Sequence, residues 1–131
     1  MPKKVRITEA EWPIMEVLWE CQTATAAEIV EAVSRSRDVS MRTIKAQIRS
    51  LVAKKKVSYS VDKNDFRIYH YKAVITREQG MEEKNHSILN LVYGGKTSSL
   101  LTHFLNNSDL ENNEIDDLLA LLKKKKAENN G

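Results

Sequence analysis

Between Trp12 and Val52 the apolar residues recur at the 3.6-residue spacing of a helix, and from Val57 to Tyr71 they recur every second residue. That change of period dictates an order of elements, helices first and a strand pair after them, because helical and extended chains bury different residue spacings. In "VSYSV" Val57, Tyr59 and Val61 alternate with serines. "DKND" is a turn-forming cluster. "FRIYHY" then alternates Phe66, Ile68 and His70 against Arg67, Tyr69 and Tyr71. Together they predict a β-hairpin.

Three helices precede it. Thr8 and Glu11 stand at the spacing in which each side chain satisfies the other's backbone N–H at a helix start. Trp12, Met15, Leu18 and Trp19 then share one face. Pro13 conflicts with a helix begun at Thr8, since it would clash with the Glu9 carbonyl, so the helix starts later or its first turn is distorted. Thr25 and Glu28 repeat the capping spacing ahead of Ile29, Val30 and Val33. Ser40 caps a third helix whose apolar stripe is Ile44, Ile48, Leu51 and Val52. The lone cysteine, Cys21, falls among apolar helical positions and is expected as a small buried hydrophobe.

Once that stripe turns inward, Arg42, Thr43, Lys45, Ala46, Gln47 and Arg49 are left on the outside of the third helix. No Asp or Glu occurs from Val39 to Val61, so the bases of "SMRTIKAQIRSLVAKKK", including Lys54, Lys55 and Lys56, have no acid in their own segment. The wider charge is uneven as well: residues 1–75 hold 14 Lys/Arg against 9 Asp/Glu, and residues 76–131 hold 7 against 9. Unneutralised cations interleaved with small residues suit a polyanion approached closely. Three short helices followed by a hairpin is the order of a winged helix-turn-helix, in which the third helix enters the DNA major groove and the hairpin tip touches the flanking backbone. The DNA-contact candidates are therefore Arg42, Thr43, Lys45, Ala46 and Arg49 on the helix, with Lys63, Asn64 and Arg67 on the wing.

The expected organisation is mainly α with a small β-hairpin: a winged helix-turn-helix over 1–75 and a helical dimerisation region over 76–131. Thr76 and Gln79 mark a further helix start, and Met81, Ile88 and Val92 lead to a stop at Gly94 and Gly95. "SSLLTHFL" presents Leu100, Leu101, Phe104 and Leu105. "NNEIDDLLALLKKKK" presents Ile115, Leu118, Leu119 and Leu122 at helical spacing. Such short helices are marginal alone; their apolar faces either bury against one another within one chain or are covered by a twofold partner, and the dimer is the expected reading. Lys123 to Lys126 are expected to end the last helix, where cations complement its partial negative charge.

Several classes of protein are not expected. There is no apolar run of about 18 residues and no apolar stretch after the charged start, which argues against a membrane span or signal peptide and for a cytoplasmic protein. His70, His86 and His103 have no metal-ligand spacing with one another or with Cys21. Neither a cofactor nor an enzymatic activity is expected, since no nucleophile is paired with a base.

The chain also resembles the penicillinase-repressor family of winged-helix transcriptional repressors, which includes the BlaI, MecI and CopY repressors. "ITEAEWPIMEVLWE" is similar to the family's opening, an acid-Trp pair, a Met and a second Trp. "SMRTIKAQIRSLVAKKK" resembles its recognition helix, and "IYHY", "VYGG", "SLLTHF" and "DLENNEIDDLL" follow in order, so the likeness runs over nearly the whole chain. It implies a homodimer that represses transcription at a palindromic operator. In the antibiotic-responsive branch it also implies release by a regulatory protease cutting between Asn and Phe; the matching pair here is His103 and Phe104. The chain departs from the family at Met41, where a proline is usual, and at Lys55, near the usual glycine. It also lacks the paired C-terminal cysteines of the copper-sensing branch, which leaves a metal-responsive repressor without those ligands, or a winged-helix module for protein contacts, as the alternative readings.

Overall fold

The computed structural model describes residues 6–131. Nine elements follow one another: α1 (Trp12–Cys21), β1 (Ala24–Thr25), α2 (Ala26–Ser34), α3 (Met41–Ala53), β2 (Val57–Val61), β3 (Tyr69–Ala73), α4 (Arg77–Tyr93), α5 (Thr97–Asn107) and α6 (Asn112–Asn130). They divide into two compact units, one ending at Ser87 and the other comprising Ile88–Gly131. No helix among the described residues is long and apolar enough to cross a membrane.

The first unit is a winged helix-turn-helix. Its core joins Ile14, Met15 and Leu18 of α1, Ile29 and Val33 of α2, and Ile44, Ile48 and Leu51 of α3, all essentially inaccessible to solvent. Burying each such side chain contributes about 1.5–3 kcal/mol. Thr8 and Glu11 do exchange hydrogen bonds, at 2.9 and 3.2 Å. They close a turn ahead of the helix, and α1 begins at Trp12. Pro13 thus occupies the first helical turn, where its missing N–H has no intrahelical partner to lose. At the other end Gln22 adopts φ 69° and ψ −52°, and the Thr23 N–H donates to the Cys21 carbonyl at 2.8 Å, a three-residue turn in a rare and strained form. Cys21 is exposed, contrary to the sequence expectation, because it is the last residue of α1 and lies beyond Leu18, the last buried residue of that helix.

Thr25 caps α2 through the full reciprocal pair with Glu28, and Ser40 Oγ accepts from the Thr43 N–H at 3.1 Å to start α3. The end of α3 is unusual. Lys55 has φ 64°, its N–H donates to the Val52 carbonyl, and the Lys56 N–H donates to Leu51, each at 3.0 Å. This is the left-handed helix stop in which glycine normally stands. A side chain there costs about 1 kcal/mol, yet the chain turns, because the strand that follows must start at Val57, buried against α3.

β2 and β3 pair antiparallel with Tyr59 opposite Tyr71, and β1 adds two residues to the other edge of β3, giving the order β1-β3-β2. Two residues of β1 leave no periodic trace in sequence, so periodicity does not reveal the third strand. The hairpin also differs in extent from expectation: β3 begins at Tyr69, and Phe66 and Ile68 lie in the connecting loop. Asp62 organises that loop. Its carboxylate accepts from the Asn64 and Asp65 N–H groups at 2.9 and 3.0 Å and meets His70 Nε2 at 2.8 Å.

α4 opens with the Thr76–Gln79 reciprocal cap, bonds of 2.9 and 3.1 Å. Gly80 is buried there because a Cβ would lie 2.8 Å from the Trp19 ring. Trp12 and Trp19 pack edge to face at 5.2 Å, and the Trp19 Nε1–H donates to the Ile75 carbonyl at 2.9 Å. Lys84 and Arg77 lie over the two rings.

In the second unit α4 stops at Gly94 and Gly95, both with positive φ, and the Gly95 N–H donates to the Leu89 carbonyl. α6 continues to Asn130, so Lys123 to Lys126 lie inside the helix and not in its last turn. Ala127 and Glu128 are good helix formers, and no glycine intervenes before Gly131.

Candidate nucleic-acid interface

The hydrophobic stripe of α3 fixes which way its polar residues look. With Ile44, Ile48 and Leu51 against the core, Arg42, Thr43, Lys45, Ala46 and Arg49 are all exposed, and Gln47 is half-buried. Thr43 is held by the cap it shares with Ser40, whose hydroxyl donates to Thr43 Oγ1 at 2.9 Å. Among the described residues no carboxylate pairs with Arg42, Lys45, Arg49 or Lys55.

Two bases of the same run behave otherwise. Lys54 Nζ lies 2.7 Å from Glu11 Oε1, with the two side chains only 13% and 5% exposed, and it also donates to the Arg6 carbonyl at 2.8 Å. Burial pushes the Glu11 carboxyl up. Hydrogen bonds from Lys54, the Thr8 N–H and Ser50, and the charge of Lys54, outweigh burial and hold it below the ordinary value. Lys56 Nζ pairs with Glu83 Oε2 of α4 at 2.6 Å. Both lysines therefore tie the turn after α3 to other elements of the fold, and the acid-free run is not wholly unpaired as the sequence suggests. Their partners lie 43 and 27 residues away along the chain, beyond any local charge count.

The loop joining β2 and β3 is neutral in formal charge. Lys63 and Asn64 are exposed at its tip, but Arg67 grips Asp65 in a two-pronged contact at 3.0 and 3.1 Å. That contact, with the Arg67 N–H, holds the Asp65 carboxyl low and the Arg67 guanidinium high. Hydrogen bonds from His70 and from the Asn64 and Asp65 N–H groups likewise lower Asp62. Tyr59 and Tyr69 stack at 4.7 Å on the hairpin face that also carries Tyr71. Burial, then the neighbouring tyrosines, push the Tyr71 phenol up against the pull of Arg49, so it remains a hydrogen-bond donor at neutral pH.

α3 and the wing form two walls of a concavity of about 530 Å³. Lys45 and Arg49 line one wall and Arg67, Tyr69 and Tyr71 the other, while Thr25, Ala26 and Ala27 bring in the start of α2. The Ala27 amide, in the first turn of α2, has no partner within the helix and suits an anion. Sequence reasoning missed Ala26, Ala27 and Tyr69 as members of this site. The Thr25–Glu28 spacing marked a helix start, but nothing in it said that the start abuts the third helix and the hairpin.

The second unit has a different character. No residue of α5 or α6 is buried. Leu101, Phe104, Ile115, Leu118, Leu119 and Leu122 are exposed, and Leu100 is half-buried. Leu101, Leu105, Leu110 and the leucines of α6 line an apolar groove of about 430 Å³. His103 sits within α5, its Nδ1 3.1 Å from the Tyr93 hydroxyl and its carbonyl accepting from Asn107. No group of three or more His, Cys, Asp or Glu able to hold a metal stands together among the described residues.

Residues 7–124 match the family model described as penicillinase repressor. The penicillinase repressor of Staphylococcus aureus is 32% identical over 120 residues, 92% of this chain and 93% of that protein. The methicillin resistance regulatory protein MecI of Mammaliicoccus sciuri is 31% identical over 123 residues, 94% of this chain and 98% of that one. Among solved structures, the reduced form of MarR from E. coli matches with a TM-score of 0.50 at 22% identity, covering 90% of this chain and 76% of that chain, a likeness of fold.

Proposed function

This chain belongs to the penicillinase repressor family, whose members are transcriptional repressors and not enzymes, and from that premise we propose that it represses transcription by gripping a palindromic operator as a homodimer. The observation that carries the reading is the outer face of α3, where Arg42, Lys45 and Arg49 stand exposed without acidic partners among the described residues while the neighbouring Lys54 and Lys56 are consumed by the fold. In this arrangement α3 enters the major groove. Thr43, Lys45, Ala46 and Arg49 read base edges, a good bidentate pair being worth about 1–3 kcal/mol of discrimination. Arg42 and the Ala27 amide take backbone phosphates, and Lys63, Asn64 and Arg67 bring the wing to the flank. Arg67 must exchange Asp65 for phosphate to do so, so its net contribution is small.

The dimer rests on the second unit. A helical pair with no buried residue cannot hold itself by packing, and the exposed Leu101, Phe104, Ile115, Leu118, Leu119 and Leu122, with Leu100, form the face that a second copy covers. Linking two reading heads raises the effective concentration of the second once the first has bound. A regulatory protease responding to an antibiotic-type signal, in keeping with the names of the relatives, would end repression by cutting His103–Phe104. That bond lies inside α5, so local unwinding must precede the cut.

Selection of duplexes from a random-sequence pool by the full chain, followed by titration against salt, tests the reading. Enrichment of a palindrome, with affinity falling steeply as salt rises, is expected. Failure to enrich any duplex would refute it. Arg49→Ala should weaken the selected site far more than random DNA.

A further inference from the structure

Phe66 is the most exposed aromatic residue of the first unit, 81% accessible, on a loop held by side-chain bonds to its own backbone. Sequence periodicity places it in the second strand of the hairpin; it lies instead in the loop ahead of Tyr69, with its ring exposed. An apolar ring in water at a loop tip is unfavourable unless something covers it. Nothing in the loop does. Asp62 ties the Asn64 and Asp65 amides, Asp62 N–H donates to the Ile68 carbonyl at 2.9 Å, and Asp65 Oδ1 accepts from the Arg67 N–H at 3.0 Å, so residues on both sides of Phe66 are fixed while the ring stays free.

The surroundings select the partner. The loop's two cations, Lys63 and Arg67, are matched by Asp62 and Asp65, so the tip offers little net charge to a phosphate chain. A tip with that balance contributes to duplex binding mainly by apolar contact. We propose that Phe66 is a minor-groove probe: with α3 in the major groove, the ring packs on the sugar edges and base step of the adjoining minor groove, the place where apolar side chains enter and kink a duplex. Lys63 and Asn64 reach the bordering phosphates. This rests on the DNA-binding reading above and adds a contact of a different physical kind, independent of counterion release.

The test uses the full-length chain and a duplex that the wild-type chain has enriched from a random-sequence pool. If no duplex is enriched, the DNA-binding reading itself fails, and this proposal with it. Given an enriched duplex, Phe66→Ala should lower affinity about tenfold, the order expected for exposing a phenyl ring, with Phe66→Leu intermediate. The slope of log affinity against log salt should stay at the wild-type value. Hydroxyl-radical cleavage, which reads sugar exposure in the minor groove, should show flanking protection that disappears in Phe66→Ala while the protection under α3 persists. The exposed ring makes both variants foldable, and an unchanged circular dichroism spectrum and melting temperature check this. Unchanged affinity, a reduced salt slope, or flanking protection that survives the substitution would each overturn the proposal.

Discussion

Replacing Lys54 by Met separates the structural lysines of α3 from the DNA-facing ones. Glu11 is buried and holds its charge because Lys54, the Thr8 N–H and Ser50 bond to it. Removing the ammonium leaves a carboxylate in the interior with two partners instead of three. Breaking a buried pair from one side costs roughly 3–5 kcal/mol, and the surviving hydrogen bonds put this case near about 3 kcal/mol, a large share of the 5–15 kcal/mol typical of a domain. The pH dependence should change with it. In the wild type the Glu11 carboxyl is held below its unfolded value, so its contribution is complete above the unfolded pKa and is lost as pH falls through the lower, folded one. In Lys54→Met burial still raises the carboxyl with less to oppose it, and this loss on acidification should shrink or reverse. Urea unfolding of the full chain at one protein concentration, at pH 7 and pH 4, measures both effects. A loss under about 1 kcal/mol, or an acid limb identical to wild type, would refute the structural role given to Lys54.

Gly80→Ala would ordinarily strengthen a helix by nearly 1 kcal/mol, but its Cβ would meet the Trp19 ring at 2.8 Å; thermal melting should show a loss of about 1–3 kcal/mol, accompanied by altered tryptophan fluorescence. Lys55→Gly should raise stability by about 1 kcal/mol by relieving the left-handed φ of 64°, again read by urea unfolding. Asp62→Ala should speed hydrogen exchange at the Asn64 and Asp65 amides. In the wild type the same loosening should occur only on acidification through the lowered Asp62 pKa, since the carboxylate form makes those bonds.

Periodicity and capping spacing alone determined most of the local structure: the order of helices and hairpin, the inward stripe Ile44, Ile48 and Leu51, and the reciprocal caps at Thr25 and Thr76. These depend on residues within a turn or two of one another, and a sequence displays such neighbours directly. Local reading also identified the outward residues of α3, since a helix whose buried face is known has its other face determined. It misplaced Cys21, Phe66 and the four-lysine run because each lies at or near an element boundary, where termination depends on what the chain must reach next. Only tertiary structure decided which cations are free. Lys54 and Lys56 look identical to Lys45 and Lys55 in sequence, and Glu11 and Glu83 are brought to them by the packing of α1 and α4. The assembly of α2's first amides, α3 and the tyrosines around one concavity is likewise a product of the fold, because contacts across tens of residues follow from how whole faces pack and not from any residue's neighbours.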